Sequence, residues 1–289
     1  MYLELLILLV MILISVAFFT LSERKILSLS QIRLGPNKLS FLGIIQPIMD
    51  GVKLLKKSIT SSFKKHDLIF KLMTLMIFFL SLLIWIIIPF TVWSNKILIP
   101  LFMMVMFGLS SYMVLMLGWS SMTTYSFLGG NRSLAQVLSF ELIISVLILI
   151  FFLDKMKMSW KFSMSNSLFL TFFMSIIYLM SIFLETHRAP MDLAEGESEL
   201  VSGYNTEFSS LYFVMIFLSE YSTILFMSVL YFMLWFKLNW INLTILMFIV
   251  ILVRSCFPRI RYDHIMSLVW IKILPLLIMF WIMLVNLSF

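Results

Sequence analysis

Residues 2–25 read YLELLILLVMILISVAFFTLSERK, an apolar run of membrane-spanning length that ends in three consecutive charged residues. About 20 apolar residues are enough for a helix to cross the hydrocarbon core of a bilayer. Seven further apolar runs follow, so the sequence predicts an all-α polytopic membrane protein with about eight transmembrane helices in one domain, residues 1–289. The predicted spans are 2–22, 72–93, 97–118, 133–153, 168–185, 211–236, 238–253 and 265–288.

The composition supports this fold class and excludes several others. Hydrophobic residues make up 62% of the chain and charged residues 12%, whereas a soluble domain carries about a quarter charged residues. The single cysteine, Cys256, excludes a disulfide framework. His66, His187 and His264 are far apart in the sequence, so we expect no metal, haem or iron–sulfur site within this chain alone.

The basic residues predict the orientation of the spans. Fifteen Lys and Arg residues fall in four predicted connections on one side, which are 23–71, 119–132, 186–210 and 254–264. Five fall on the opposite side, and Lys272 lies within the last span. The first side is therefore the predicted cytoplasmic or matrix side, and both termini lie on the other.

Residues 41–57, FLGIIQPIMDGVKLLKK, are too polar to span a membrane but have helical periodicity. Five apolar side chains share one face of the predicted helix, and polar residues including Gln46 and Asp50 share the other. Pro47 suits the first helical turn. The pattern predicts an amphipathic helix lying in the membrane interface. Its role stays open between a simple surface anchor and one wall of a ligand entrance.

Residues 185–207 form an acidic segment on the side where basic residues dominate. They contain one base, Arg188, and six acids: Glu185, Asp192, Glu195, Glu197, Glu199 and Glu207. Carboxylates only a few ångströms apart raise one another's pKa, which suits a site that takes up and releases protons. An acidic docking loop for another protein is the alternative.

Two more acids, Glu141 and Glu220, lie inside predicted spans. A charge at bilayer depth is costly, so such groups are usually neutralised, paired or exposed to a water-filled cavity. They are candidates for a proton path, or for structural hydrogen bonds within the bundle. Arg132, near the start of the fourth span, is a candidate partner for the loop acids.

Five stretches carry a resemblance to a known family. They are Ser22–Lys25 with Gln31–Asn37, Gly129-Gly130 with Arg132, LAEGESELVSG at 193–203, Glu220-Tyr221, and PRIRYD at 258–263. In these stretches the chain resembles the first membrane subunit of mitochondrial NADH–ubiquinone oxidoreductase and its bacterial relatives. The few Ala residues and many Met residues also fit an animal mitochondrial genome, and the resemblance implies the mitochondrial inner membrane.

The resemblance implies a subunit that forms a ubiquinone tunnel and an acidic path coupling quinone reduction to proton translocation. Quinone-tunnel residues would be Arg24, Gln31, Arg33 and Asp50. The proton path would comprise Glu141, Glu185, Asp192, Glu195, Glu197, Glu199, Glu207 and Glu220, with Arg132 as their charge partner. No catalytic residue or metal ligand is expected in this chain. NADH, FMN and the iron–sulfur clusters would belong to partner subunits, which include a hydrophilic arm and antiporter-like membrane subunits.

Three alternatives remain at this point. A cation/proton antiporter predicts substrate residues near mid-membrane and often internal repeats or broken helices, but most charges here lie in one-sided connections. A non-catalytic assembly scaffold predicts one-sided loops but leaves Glu141 and Glu220 unexplained. A bacterial formate- or hydrogen-linked complex could use the same type of subunit.

Overall fold

The computed structural model describes residues 2–39, 41–57, 67–86, 99–121, 123–154, 168–185, 189–192, 208–235 and 239–288. In these ranges all regular secondary structure is helical. The helices are α1 (Tyr2–Ser30), α2 (Gln46–Lys56), α3 (Asp67–Trp85), α4 (Ile99–Ser120), α5 (Thr124–Asp154), α6 (Leu168–Glu185), α7 (Ser210–Trp235), α8 (Trp240–Cys256), α9 (Tyr262–Ser267) and α10 (Leu274–Ser288). A 3-10 turn at Phe41–Gly43 precedes α2, and a π-helical segment, Leu268–Ile273, joins α9 to α10.

The apolar helices confirm a polytopic membrane protein. Among the described residues, six helices are long and apolar enough to cross a bilayer: α1, α3, α4, α5, α7 and the continuous run from α9 to α10. Helices α6 and α8 are apolar but shorter. These eight helices overlap the eight predicted spans, because hydropathy over a spanning window is the dominant sequence signal in lipid. Helix α3 begins five residues before its predicted span of 72–93, and residues 87–93 of that span lie outside the described residues.

Helix α5 begins earlier than its predicted span, which changes the expected connection at 119–132. Residues 124–132 form the first turns of α5, so the pair Gly129-Gly130 lies inside a helix and not in a turn. A Cβ built on Gly118 would lie 2.9 Å from the Cα of Gly130. The glycines therefore let the backbones of α4 and α5 approach closely, as small residues do in membrane helix pairs.

The bundle is organised around α5 and α7. Helix α5 packs against α4, α6 and α10, while α7 packs against α3, α1 and α6. Tyr178, Phe140 and Phe226, from α6, α5 and α7, are fully buried in the largest apolar cluster. Helix α1 packs against α8 and α7 at the edge of the bundle, and α2 lies across α1 and α7.

The predicted amphipathic helix is present as α2, with Pro47 in its first turn. No residue of α2 is buried, and its apolar side chains are exposed: Ile48, Met49, Val52 and Leu55. The turn before it is fixed by Gly43, whose φ is 74° and whose Cβ position is only 2.0 Å from the Pro36 carbonyl oxygen. Lys25 Nζ also donates to the carbonyl of Leu42 at 2.5 Å. The turn thus places α2 next to the charged end of α1.

Candidate functional site

A charged pair joins α1 to α2. Arg24 Nη1 donates to Asp50 Oδ2 at 2.6 Å, and Gln46 Nε2 donates to Asp50 Oδ1 at 2.9 Å. The Arg24 side chain is 51% exposed and that of Asp50 33% exposed, so the pair is open to a ligand or to solvent. Gln31 and Arg33 follow the end of α1 with exposed side chains, and among the described residues neither side chain bonds to this pair.

A buried carboxylate lies one residue before Arg24. Glu23 is only 6% exposed and accepts a hydrogen bond from the Tyr221 hydroxyl on Oε2, at 2.5 Å. Its Oε1 accepts a bond from Arg254 Nη1. These three residues come from α1, α7 and α8, so one carboxylate ties three helices together. We call Glu23, Tyr221 and Arg254 the Glu23 junction.

No pattern in the sequence predicted the Glu23 junction. Glu23 stands in the charged end of α1, and Tyr221 follows Glu220, so both lie in stretches that carried the resemblance. The pairing itself joins residues 198 and 231 positions apart in the chain, which no local pattern indicates.

The described part of the acidic segment is anchored by an ion pair. Asp192 is 9% exposed, and its Oδ2 lies 3.2 Å from Arg259 Nη2. The backbone N–H of Ile260 donates to the carbonyl of Pro190 at 2.9 Å. Residues 189–192 are thereby held against the segment that follows α8, which gives Asp192 a partner that sequence reasoning had not named.

Gln136 ties the same region to α5. Its Nε2 donates to the carbonyls of Leu184 and Met191, at 2.9 and 2.8 Å, and Gln136 is fully buried. One side chain therefore fixes both the end of α6 and the chain after it. Sequence reasoning missed this residue, because a single glutamine in a span carries no distinctive pattern.

Two of the predicted acids share a cavity inside the bundle. Glu185, at the end of α6, and Glu220, in α7, both line a space of about 70 Å³. That volume accommodates about two water molecules. Five hydroxyl side chains complete the polar part of the wall: Ser81, Ser110, Ser111, Ser219 and Thr223. Glu185 Oε2 is buried without a hydrogen-bond partner among the described residues, so it can accept a hydrogen bond from a water molecule in this cavity.

Glu141 continues this polar line on α5. Ser111, which also lines the cavity of Glu185 and Glu220, lies beside the Glu141 carboxylate, and its hydroxyl donates to the carbonyl of Gly108 at 2.8 Å. Glu141 and Glu185 are close enough to interact electrostatically. On its other side Glu141 borders a second, apolar cavity of about 630 Å³ between α4, α5 and the run from α9 to α10. The structure therefore brings together three of the predicted path residues, and we call Glu220, Glu185, Ser111 and Glu141 the polar line.

The remaining predicted residues are placed as follows. Arg132 lies in α5, nine residues before Glu141, or about 13 Å along the helix axis. The acids Glu195, Glu197, Glu199 and Glu207, and His187, lie outside the described residues. In the described part of the chain, no group of three or more His, Cys, Asp or Glu side chains is arranged to hold a metal ion.

Comparisons with known proteins agree on one family. The family described as NADH dehydrogenase matches residues 3–285. The chain is similar to "NADH-ubiquinone oxidoreductase chain 1" of Artemia franciscana, with 38% identity over 94% of this chain and 93% of the relative. The protein of the same name from Aedes aegypti is 39% identical over 94% of this chain and 90% of the relative. The one from Apis mellifera ligustica is 40% identical over 96% of this chain and 94% of the relative.

Proposed function

Because the chain belongs to the NADH dehydrogenase family, we propose that it is the membrane subunit of an NADH–ubiquinone oxidoreductase that forms a quinone tunnel and couples quinone reduction to proton translocation. The full-length similarity to proteins named as chain 1 of this enzyme supports the subunit assignment. The polar line inside the bundle is the observation that carries the proposed coupling role.

The position of the polar line supports proton transfer. A charged acid at bilayer depth costs about 2.5–3.5 kcal/mol even on lenient insertion scales. If these positions served only helix packing, apolar residues there would avoid this free-energy cost. Here Glu220 and Glu185 meet at a small hydroxyl-lined cavity, and Ser111 links that cavity to Glu141. Hydroxyls and a few waters between carboxylates are the groups through which a proton can move.

The corner of α1 and α2 supports a quinone entrance. A quinone has an apolar tail and a polar headgroup, so its entrance needs apolar walls and polar groups. Helix α2 presents an exposed apolar face that includes Ile48, Val52 and Leu55. Arg24 pairs with Asp50, which lies on the opposite, polar face of α2. Gln31 and Arg33 are also exposed, just after the end of α1.

The chemistry requires partner subunits. Reduction of one quinone to quinol consumes two electrons and two protons. Iron–sulfur clusters are held by several Cys thiolates, and a chain with only Cys256 does not fit such a cluster. NADH, FMN and the iron–sulfur clusters are therefore assigned to a hydrophilic arm docked on the loops that follow α1 and α6.

The proposed coupling runs from the loop acids into the bundle. Proton uptake by the quinone changes the charge next to Glu195, Glu197, Glu199 and Glu207 of the acidic segment. Those acids respond through their protonation, and Asp192, held by Arg259, fixes the start of their segment. The change then reaches Glu185 and Glu220 and passes through Ser111 to Glu141, towards antiporter-like membrane subunits. Arg132 is proposed as the charge partner of the loop acids.

The proposed location is the mitochondrial inner membrane. Basic residues are in excess in and beside the connections after α1, α4, α6 and α8, with Arg132 in the first turns of α5, and this excess supports a matrix-side position for these connections. Both termini then face the intermembrane space. The polar line begins close to the end of α6 on the matrix side, where the hydrophilic arm docks.

Photo-crosslinking of the intact, membrane-embedded complex with an azido-quinone tests the tunnel. We expect label in residues 20–60 or 190–210 that a quinone-site inhibitor competes away. An Arg24→Gln complex should lose most of this label, whereas a Lys71→Gln complex should keep it. Competed label on partner chains alone would favour the scaffold alternative and contradict the tunnel.

A further inference from the structure

One buried carboxamide bonds to the backbone immediately before two acids of the proposed path. Gln136 Nε2, on α5, donates to the carbonyl of Leu184 at 2.9 Å and to that of Met191 at 2.8 Å. Leu184 directly precedes Glu185, and Met191 directly precedes Asp192. Because the atoms of a peptide unit are coplanar, a bond to each carbonyl also restrains the Cα atom of the acid that follows it. Gln136 therefore holds the backbone of both acids.

The bond to Leu184 acts on the end of α6. The last four carbonyls of a helix have no partner within that helix, and α6 ends at Glu185. Gln136 supplies a donor to one of these carbonyls from a neighbouring helix. Leu184 is only 1% exposed, so the bond is shielded from water. The Glu185 carboxylate, which lines the cavity it shares with Glu220, thus stands at a helix end that α5 fixes in place.

Residues 189–192 have a second attachment that does not depend on Gln136. Asp192 Oδ2 lies 3.2 Å from Arg259 Nη2, and the Ile260 N–H donates to the Pro190 carbonyl at 2.9 Å. Without the donors of Gln136 these residues stay attached to the chain after α8. What is lost is the bridge through which α5 joins them to the end of α6.

The chemistry of the Gln136 side chain indicates a role beyond packing. The residue is fully buried, and its Oε1 has no hydrogen-bond partner among the described residues. A buried acceptor without a partner is destabilising, and an apolar side chain of similar length would avoid that loss. A carboxamide nitrogen carries two N–H donors, whereas a carboxylate or a thioether carries none. The two bonds to the carbonyls therefore explain why a glutamine stands here.

We propose that Gln136 is a positioning residue of the coupling path, which holds Glu185 in its cavity and in a fixed relation to Asp192. The role rests on the proposed function, since it acts through Glu185. Energetic coupling between sites is carried by packed and hydrogen-bonded groups in contact. Through the two bonds of Gln136, a displacement of residues 189–192 is passed to the end of α6, which connects the acidic segment to the polar line.

Two variants of the intact complex test this role. Gln136→Met is of similar length and has no donor, and Gln136→Glu keeps the shape but loses both N–H groups. The matched control is Ser133→Ala, because Ser133 is a buried residue one turn earlier whose hydroxyl donates within α5, to Gly130. We expect both Gln136 variants to assemble and reduce quinone at close to the wild-type rate, with roughly twofold or greater loss in protons pumped per electron pair. The control should keep the wild-type ratio.

Two readouts separate positioning from a purely structural role. Adding Gln136→Met to Glu185→Gln should lower the pumping ratio no further than Glu185→Gln alone, because both changes act at one point. Hydrogen exchange in residues 178–185 should be about fivefold faster in Gln136→Met, which is the factor expected for one lost hydrogen bond.

A wild-type pumping ratio in Gln136→Met would overturn the proposal. Failure of both Gln136 variants to assemble, beside an assembled Ser133→Ala control, would also overturn it, because the two bonds would then serve folding alone. Wild-type pumping in Glu185→Gln would instead remove the polar line itself. Loss of pumping in Glu185→Gln together with full pumping in Gln136→Met would remove only the positioning role, so the two failures are distinguishable.

Discussion

Replacing Glu23 by Gln should weaken the Glu23 junction by about 2 kcal/mol. The variant keeps an oxygen that can accept the Tyr221 hydroxyl but loses the charge that Arg254 binds. A hydrogen bond to a charged group contributes roughly 1.5–3 kcal/mol. The Arg254 side chain is 33% exposed, so water replaces part of the interaction and the lower half of that range applies.

Hydrogen exchange of the intact complex in nanodiscs measures this effect locally. A loss of about 2 kcal/mol corresponds to roughly thirtyfold faster opening, so peptides covering 21–30 and 250–256 should exchange up to about thirtyfold faster. Arg254→Gln should give a similar increase, and the double variant should add little to either single change. Unchanged exchange in Glu23→Gln, or fully additive effects of the two single changes, would show that Glu23 and Arg254 do not stabilise these helix ends as a pair.

Two further predictions concern glycines. Gly43→Ala should reduce the amount of assembled complex, because φ at this position is 74° and the new Cβ would lie 2.0 Å from the Pro36 carbonyl oxygen. The control is Gly51→Ala, whose Cβ would have nothing within 4 Å and which should be neutral or stabilising. Equal assembly of the two variants would contradict the prediction. Gly118→Ala should lower the thermal stability of the complex, because the new Cβ on α4 would lie 2.9 Å from the Cα of Gly130 on α5. An unchanged melting temperature would show that α4 and α5 can move apart without loss of stability.

Hydropathy and charge were enough to predict the helices but not all of their ends. In lipid every backbone group must bond within its own helix, so an apolar run of spanning length has few alternatives. The start of α5 could not be predicted in the same way. Gly129-Gly130 has the composition of a turn, and only the position of Gly118 on α4 shows that these glycines permit close helix packing.

The candidate site was predictable as a set of residues but not as an arrangement. An acid within a span stands out in sequence, which is why Glu141 and Glu220 were identified. Their connection through Ser111 depends on how α4, α5, α6 and α7 pack, and serines are common in this chain. Glu23 was hidden for a different reason, since a charge at the end of a span is typical of simple membrane-edge anchoring.

Proton translocation by a Glu185→Gln complex distinguishes a coupling path from a purely structural role for the polar line. Protons pumped per pair of electrons would be measured in sealed vesicles, with Asp263→Asn, an exposed acid at the membrane edge, as the matched control. We expect the Glu185→Gln complex to assemble but to lose most of its pumping, while the control matches wild type. Wild-type quinone reduction together with wild-type pumping in Glu185→Gln would contradict the polar line as the coupling path.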